Sequence, residues 1–275
     1  IVGGGMAGLA AAVRLHDSGV PVQLFEAADT VGGRVQTDRV EGYLLDRGFQ
    51  VYLDAYPASA RLLDLPALGL GAFEPGALVF RDGRLHRLMD VFRRPGSLPA
   101  ALRAPIGSVA DKLRVGLMRM RLLRRSLGAI ESGPEASTEA YLRQCGFSPG
   151  MIDRFFRSFY GGIFLERELQ TSSRMFEFTF KMFGQGSATL PAAGMGAIPK
   201  QLAARLPEGA VRTGTRVAAV APRSVNLEDG REISGRAVLV AVDAASAGRL
   251  VPGFRGADKW WRAVSNLYFA AERSP

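Results

Sequence analysis

Three glycines, Gly3, Gly5 and Gly8, stand in the spacing G-x-G-x-x-G directly after the apolar pair Ile1 and Val2 and before a run rich in Ala, Leu and Val. A strand that turns this tightly into a helix is what limits the fold. The first glycine allows the turn, the second lets a pyrophosphate approach the backbone, and the third lets helix and strand pack closely. The helix begins at Met6 and Ala7, whose end offers unpaired N–H groups and a positive dipole end to phosphate. Gly19 follows the run, where a left-handed C-terminal cap is expected.

Val20 to Phe25 reads as a second strand and Glu26 as its end, followed by Ala27. Strand, glycine turn, helix and strand within 26 residues make the front of a βαβ unit with a parallel strand pair. An acid at Glu26 lies where ribose hydroxyls of a dinucleotide are bound, and its charge argues against a 2′-phosphate. That leaves FAD or NAD. Gly32, Gly33 and Arg34, with Thr37 beyond them, decide for FAD: adjacent glycines expose amides, and the arginine brings a fixed charge to the diphosphate or flavin.

The run from Gly3 through Glu26 to Val31-Gly32-Gly33-Arg34 resembles the flavin-containing amine oxidase superfamily, which includes phytoene desaturases, protoporphyrinogen oxidases and monoamine oxidases. The likeness continues at Leu45-Asp46-Arg47-Gly48-Phe49-Gln50 and resumes at Gly194-Met195-Gly196-Ala197-Ile198-Pro199, where Ala193 replaces the family's first glycine. The strand around Val217 is similar to one whose backbone contacts adenine in relatives. By this resemblance the cofactor-binding residues are Gly3, Gly5, Met6, Ala7, Gly8, Glu26, Ala27, Gly32, Gly33, Arg34, Gly48, Phe49 and Val217. Arg-rich helices and the apolar stretch from Phe155 to Leu165 look most like the phytoene desaturase and protoporphyrinogen oxidase side. No catalytic residue is identified, because neither Lys181 nor Lys200 sits in the motif of the amine-oxidase lysine.

The remaining chain sets further expectations. Val35 to Leu45 reads as two short strands around Glu41 and Gly42. From about Tyr56 to Leu190 the pattern is mostly helical between repeated prolines. Ile106, Val109, Leu113, Leu117, Met120, Leu123 and Leu127 step by three or four, with Lys112, Arg119 and Arg125 on the other face. Such a basic amphipathic helix either meets a membrane surface or packs on its own domain, and the second is preferred. After Pro191 the α/β pattern returns, with a helix over 198–206, extended segments at 211–220 and 225–227, and a buried strand over 237–242. Met175, Phe176, Phe178 and Phe180 are read as core rather than a substrate tunnel, Tyr160 as a residue near the substrate cavity.

The expected architecture is α/β: a Rossmann-like FAD-binding domain (1–55 and 195–250) with an inserted mixed α+β, helix-rich substrate domain (56–194 and 251–275, incomplete). Only Ile1 and Val2 precede the glycines, where a strand commonly runs about five or six residues, and the last segment from Trp260 lacks a closing helix. Both ends read as cut. The family also closes its FAD site with a later glycine segment, so these 275 residues alone are expected to bind FAD poorly.

Net charge is +9, and the stretch from Arg81 to Arg125 holds twelve Arg or Lys against three Asp, which equals the whole excess. A peripheral membrane contact through residues 81–125 is one use of that charge, and a solvated surface is another. No nucleic-acid motif accompanies it. A single cysteine, Cys145, excludes an intramolecular disulfide, and two histidines leave little for a metal site, so none is expected. The resemblance implies oxidation of an apolar C–C or C–N bond, by desaturation or amine oxidation, with hydride transfer to flavin N5, and the lone cysteine points to a reducing, cytoplasmic location with membrane association as one option. Alternatives are a redox-neutral isomerase of the carotenoid isomerase type and a non-catalytic nucleotide-binding module.

Overall fold

A computed structural model describes residues 1–48, 50–255 and 262–271. At its centre lies a small parallel sheet. Leu24–Phe25 pairs with Val211–Arg212, and Val2 bridges Phe25 on one side and Val240 on the other, all parallel. Numbered along the chain, the strands lie in the order 3-2-1-4, the order of a dinucleotide-binding doubly wound sheet. The fold is α/β. The ladder is short but complete in its donors: Gly3 N–H donates to Phe25 O at 2.8 Å, Val2 N–H to Leu239 O at 2.8 Å and Leu24 N–H to Ala210 O at 2.8 Å.

The helix Met6–Asp17 follows the first strand, with Leu9, Ala12 and Val13 fully buried against Leu24, Ile198 and Leu202. Leu9, Ala12 and Val13 recur at helical spacing on one face, which is why this segment is a helix that covers the sheet. Ala197–Ala203 is the second helix on that core. Beyond the third strand, Val217–Ala221, Ser224–Leu227 and Glu232–Ser234 form an antiparallel meander. The segment 237–242 is not the buried strand expected: Val240 makes one bridge and Leu239 is 43% exposed. Val238 and Val242 pack against the core with Val2 and Phe25, and among the described residues no further strand pairs on that side.

Between the second and third strands the chain makes a long excursion. A hairpin, Thr37–Val40 with Tyr43–Asp46, turns at Glu41 and Gly42, both with positive φ (49° and 85°), as the alternation implied. Tyr52–Leu53, Ala188–Leu190 and Gly71–Ala72 form a three-stranded sheet. Gly76–Arg81 and Arg84–Met89 form another hairpin, turning at Asp82 and Gly83 (φ 49° and 73°). The expectation of mostly helical structure from Tyr56 holds for Pro57–Leu62 and the short turn Pro66–Leu68 but is wrong from Gly71 to Met89. An Asp-Gly pair between alternating apolar residues is a hairpin signal, and here it overrides the proline punctuation.

Helices dominate from Leu98. Val109–Arg124 packs against Ser173–Gln185 over a core in which Phe156, Phe176, Leu122 and Leu142 are fully buried. Val109–Arg124 buries Asp111, Met118 and Leu122 rather than the aliphatic stripe that the sequence suggested for packing. Val109, Leu113, Leu117 and Met120 of that stripe face solvent. Asp111 heads the inward face, ahead of Met118 and Leu122. Its carboxylate accepts from Ser108 N–H (2.8 Å), Ser108 Oγ (2.7 Å), Ser148 N–H (2.9 Å) and Ser148 Oγ (2.7 Å). Burial works against its charge, but these four donors outweigh it and hold the carboxyl down at about 2.

Tyr160 is likewise corrected. It is 2% exposed, with its ring centroid 4.6 Å from that of Phe176, and is part of this core.

Candidate functional site

Five separated segments meet at the carboxyl ends of the parallel strands. The first is the glycine turn. Gly3 has φ 105°, a conformation that side chains resist, and a Cβ there would crowd Ala241 O at 2.8 Å. A Cβ on Gly8 would overlap the Gly3 carbonyl oxygen, so helix and strand touch only because Gly8 lacks one. Gly5 differs: a Cβ there meets nothing within 4 Å. It faces an open crevice. Gly5 is also the N-cap of Met6–Asp17 and provides no side-chain hydrogen bond, so the N–H groups of Met6 and Ala7 remain free of a cap.

The second segment is the end of the second strand. Glu26 turns its carboxylate back on the glycine turn, accepting from Gly4 N–H at 2.6 Å and from Ala28 N–H at 2.8 Å. Two backbone donors fix an acid at the lip of the crevice. Ala27 beside it is exposed. The third strand locks this lip from outside, as Thr215 N–H donates to Glu26 O at 2.8 Å and Gly214 N–H to Ala28 O at 2.7 Å. Val217 lies two residues beyond Thr215, buried with Val2, Phe25, Val225 and Leu227.

The third segment is 31–35. Gly32 N–H donates to Gly4 O at 2.8 Å, and Gly32 and Gly33 have φ 119° and 59°. The two glycine loops are thereby laid side by side, with Gly33 and Arg34 exposed on the crevice rim. The fourth segment is the second hairpin strand with Gly48 (φ 91°), and the fifth is the turn from Gly194 to Gly196. Gly32 packs against Pro199, near which a Cβ on Gly32 would lie at 2.9 Å. Thus Gly3, Gly5, Met6, Ala7, Gly8, Glu26, Ala27, Gly32, Gly33 and Arg34 are brought together around one crevice. Phe49 lies outside the described residues.

A clasp that the list of candidates did not contain joins the last two segments. Thr37 Oγ1 donates to Asp46 Oδ1, which also accepts from Met195 N–H at 2.9 Å, while Thr37 Oγ1 accepts from Gly196 N–H at 2.8 Å. Gly194 has no room for a Cβ beside Thr37, and at Gly196 one would be tight, 3.0 Å from Thr37 N. The signal was available: a two-residue turn at Glu41 and Gly42 sets a register in which Thr37 stands opposite Asp46. Lys181 is remote from this chemistry. It is 6% exposed and donates to the carbonyls of Leu122 (3.0 Å) and Leu123 (2.8 Å), capping Val109–Arg124, and burial lowers its pKa.

Fold and crevice together define a dinucleotide-binding α/β protein of the flavoprotein type. The chain matches the family model of flavin containing amine oxidoreductases over residues 6–272 and belongs to that family, whose cofactor is FAD. It is 29% identical over 170 residues to coproporphyrinogen III oxidase of Propionibacterium freudenreichii subsp. freudenreichii, a match covering 60% of this chain and 31% of that one. It is 39% identical over 162 residues to chloroplastic/mitochondrial protoporphyrinogen oxidase 2 of Arabidopsis thaliana, covering 59% and 31%. Amine oxidase [flavin-containing] B of Homo sapiens is 59% identical, but over 39 residues, or 14% of this chain and 8% of that one.

Among solved structures, an oxidoreductase from Methanosarcina mazei superposes with TM-score 0.67 at 19% identity, covering 90% of this chain and 60% of that one. Wild-type putrescine oxidase bound to putrescine gives 0.62 at 19%, covering 91% and 59%. These structures share the fold. The chain matches about a third of the length of the two porphyrinogen-oxidase relatives, at 31% each.

Proposed function

We propose that this chain carries the FAD crevice and part of the substrate-facing region of an oxidoreductase that dehydrogenates an apolar substrate of the porphyrinogen class. Residues 1–55 and 195–250 form the cofactor-binding domain, and 56–194 with 251–275 belong to the substrate domain. One observation carries the cofactor assignment: the uncapped start of Met6–Asp17, the open face of Gly5 and the fixed carboxylate of Glu26 line one crevice.

Within it the helix start at Met6 and Ala7 binds the diphosphate, and Glu26 accepts from ribose hydroxyls. Gly32, Gly33, Arg34 and Gly48 orient the remainder, and the Val217 backbone borders the adenine. When bound, FAD supplies the acceptor for a hydride taken from the substrate. The protein contributes position and a dry surface, consistent with a site built from glycines and backbone amides rather than from acid–base side chains.

The substrate class rests on how far the likenesses extend. Amine oxidase B matches over 39 residues, whereas matches of 162 and 170 residues must take in much of the helical region. The alignment with porphyrinogen oxidases therefore runs through that region, which supports the substrate class. The test is the visible spectrum of the full-length protein, followed by anaerobic bleaching with porphyrinogen, carotenoid and amine substrates. Bleaching by porphyrinogens fits the proposal. A flavin bleached by amines alone removes the substrate class, and a protein without flavin removes the whole reading.

A further inference from the structure

We propose that the outward face of Val109–Arg124 is a docking surface for an anionic lipid membrane. The helix has two apolar faces where one suffices for folding. Met118 and Leu122 face the core, while on the opposite side Val109, Leu113, Leu117 and Met120 stand in line, with Leu113 63% and Leu117 61% exposed. Isolated surface leucines need no explanation, but a row continuous with other apolar groups does. Phe92, 51% exposed, extends the row: its ring lies beside Gly116 and beneath the Arg119 guanidinium at 4.7 Å. Exposed Leu102 extends it at the helix start, held there by Lys112 Nζ, which donates to Leu102 O at 2.7 Å.

Charge selects the occupant. From Leu98 to Ile130 the sequence has seven Arg or Lys and one acid, Asp111, which is fully buried. Several of these cations are engaged internally: Arg119 with Asp90 at 2.6 Å, Arg125 with Glu177 at 2.5 Å. Arg103 and Arg124 are exposed and have no ion-pair partner among the described residues. Aliphatic side chains in a row with unpaired arginines beside them match a bilayer interface, which takes the first into its acyl boundary and holds the second at anionic headgroups. Nucleic acid would satisfy the arginines but give the aliphatic row no place to be buried.

The experiment is sedimentation of the full-length protein with vesicles of phosphatidylcholine, alone or with about a third phosphatidylglycerol. The expected result is binding to the anionic vesicles that falls about tenfold or more in a Leu113→Asp/Leu117→Asp variant, with Tm and flavin spectrum unchanged. Arg103→Glu/Arg124→Glu is expected to weaken binding and reduce its salt dependence. No binding to anionic vesicles overturns the proposal, as does binding indifferent to the leucine substitutions, which leaves only non-specific charge. A lowered Tm in the leucine variant shows that the remaining protein covers the row. A fall in solution mass shows that a second copy covers it. Either result also overturns the proposal.

Discussion

The cofactor crevice and the helical core are built on opposite principles. Around the crevice, contacts depend on atoms that are missing: Gly8 touches Gly3, and Gly194 and Gly196 touch Thr37, because no Cβ intervenes. In the helical core they depend on atoms that are present: Phe147, Phe156, Phe176 and Tyr160 interlock with ring centroids 4.6 to 6.3 Å apart. Its polar groups follow the same rule. Glu177, 5% exposed, accepts from Tyr141 Oη at 2.6 Å and pairs with Arg125, so a buried charge survives by having partners. At Gly3, Gly8 and Gly194 the first region has no room for an added side chain, and the second depends on keeping its large ones.

The largest effect on cofactor binding is therefore expected from a side chain added at Gly8. Gly8→Val in the full-length protein forces helix and strand apart, and FAD affinity should fall at least about 100-fold, or roughly 3 kcal/mol, read from flavin retained on purification and by titration. If Gly8→Val keeps its flavin, close approach is not what shapes the crevice. Next, Phe156→Ala should lower unfolding stability by about 3–5 kcal/mol in urea while the flavin-to-protein ratio of the folded protein stays constant. Loss of flavin in step with stability would show that the two regions are not separable.

A smaller effect probes the polar part of the helical core. The carboxyl of Asp111 is lowered from its usual 3.8 to about 2 in the folded protein, so its contribution is present above the unfolded value and is lost as pH falls through the folded one. That difference corresponds to about 2 kcal/mol. Between about pH 4 and pH 2 the wild type should lose that much more stability than Asp111→Asn, as measured by denaturation at each pH. Parallel curves would remove Asp111 from its place as the anchor of the Ser108 and Ser148 segments.

Thr37→Val should have the least effect. It leaves Gly196 N–H without its acceptor and costs about 1–2 kcal/mol, accompanied by a few-fold weaker FAD affinity. An unchanged affinity would mean that the clasp holds the chain but not the crevice.

The same contrast explains what could be read from the sequence. Residues of the crevice lie in short runs with fixed spacing, because a glycine needed for φ or for close approach has no substitute. Gly3, Gly8, Gly32 and Gly33 were legible for that reason, and Gly5, which needs neither, by its spacing between them. Asp111 was not. Periodicity places acids outside, and only the coincidence of a capping box with the distant Ser148 makes its burial tolerable. The inward face carries that acid with Met118 and Leu122, while the aliphatic row lies outside. The hairpin at Asp82 and Gly83 was legible in principle from its turn residues, and was masked by a proline-rich context. The clasp of Thr37 and Asp46 required the register of the hairpin, a step beyond recognising its strands.

The 3-2-1-4 strand order also governs when the molecule can assemble. Strand one is synthesised first, but its neighbour at Val240 and the third strand at Val211 leave the ribosome after the entire helical excursion. At roughly 5–20 residues per second, Leu24 waits on the order of 10–40 s for its partner. Helical contacts are local and form quickly, so the excursion is complete before the sheet that brackets it in sequence. The glycine-lined crevice is in this sense the last part to close, although its glycines at 3, 5 and 8 are made before the whole excursion.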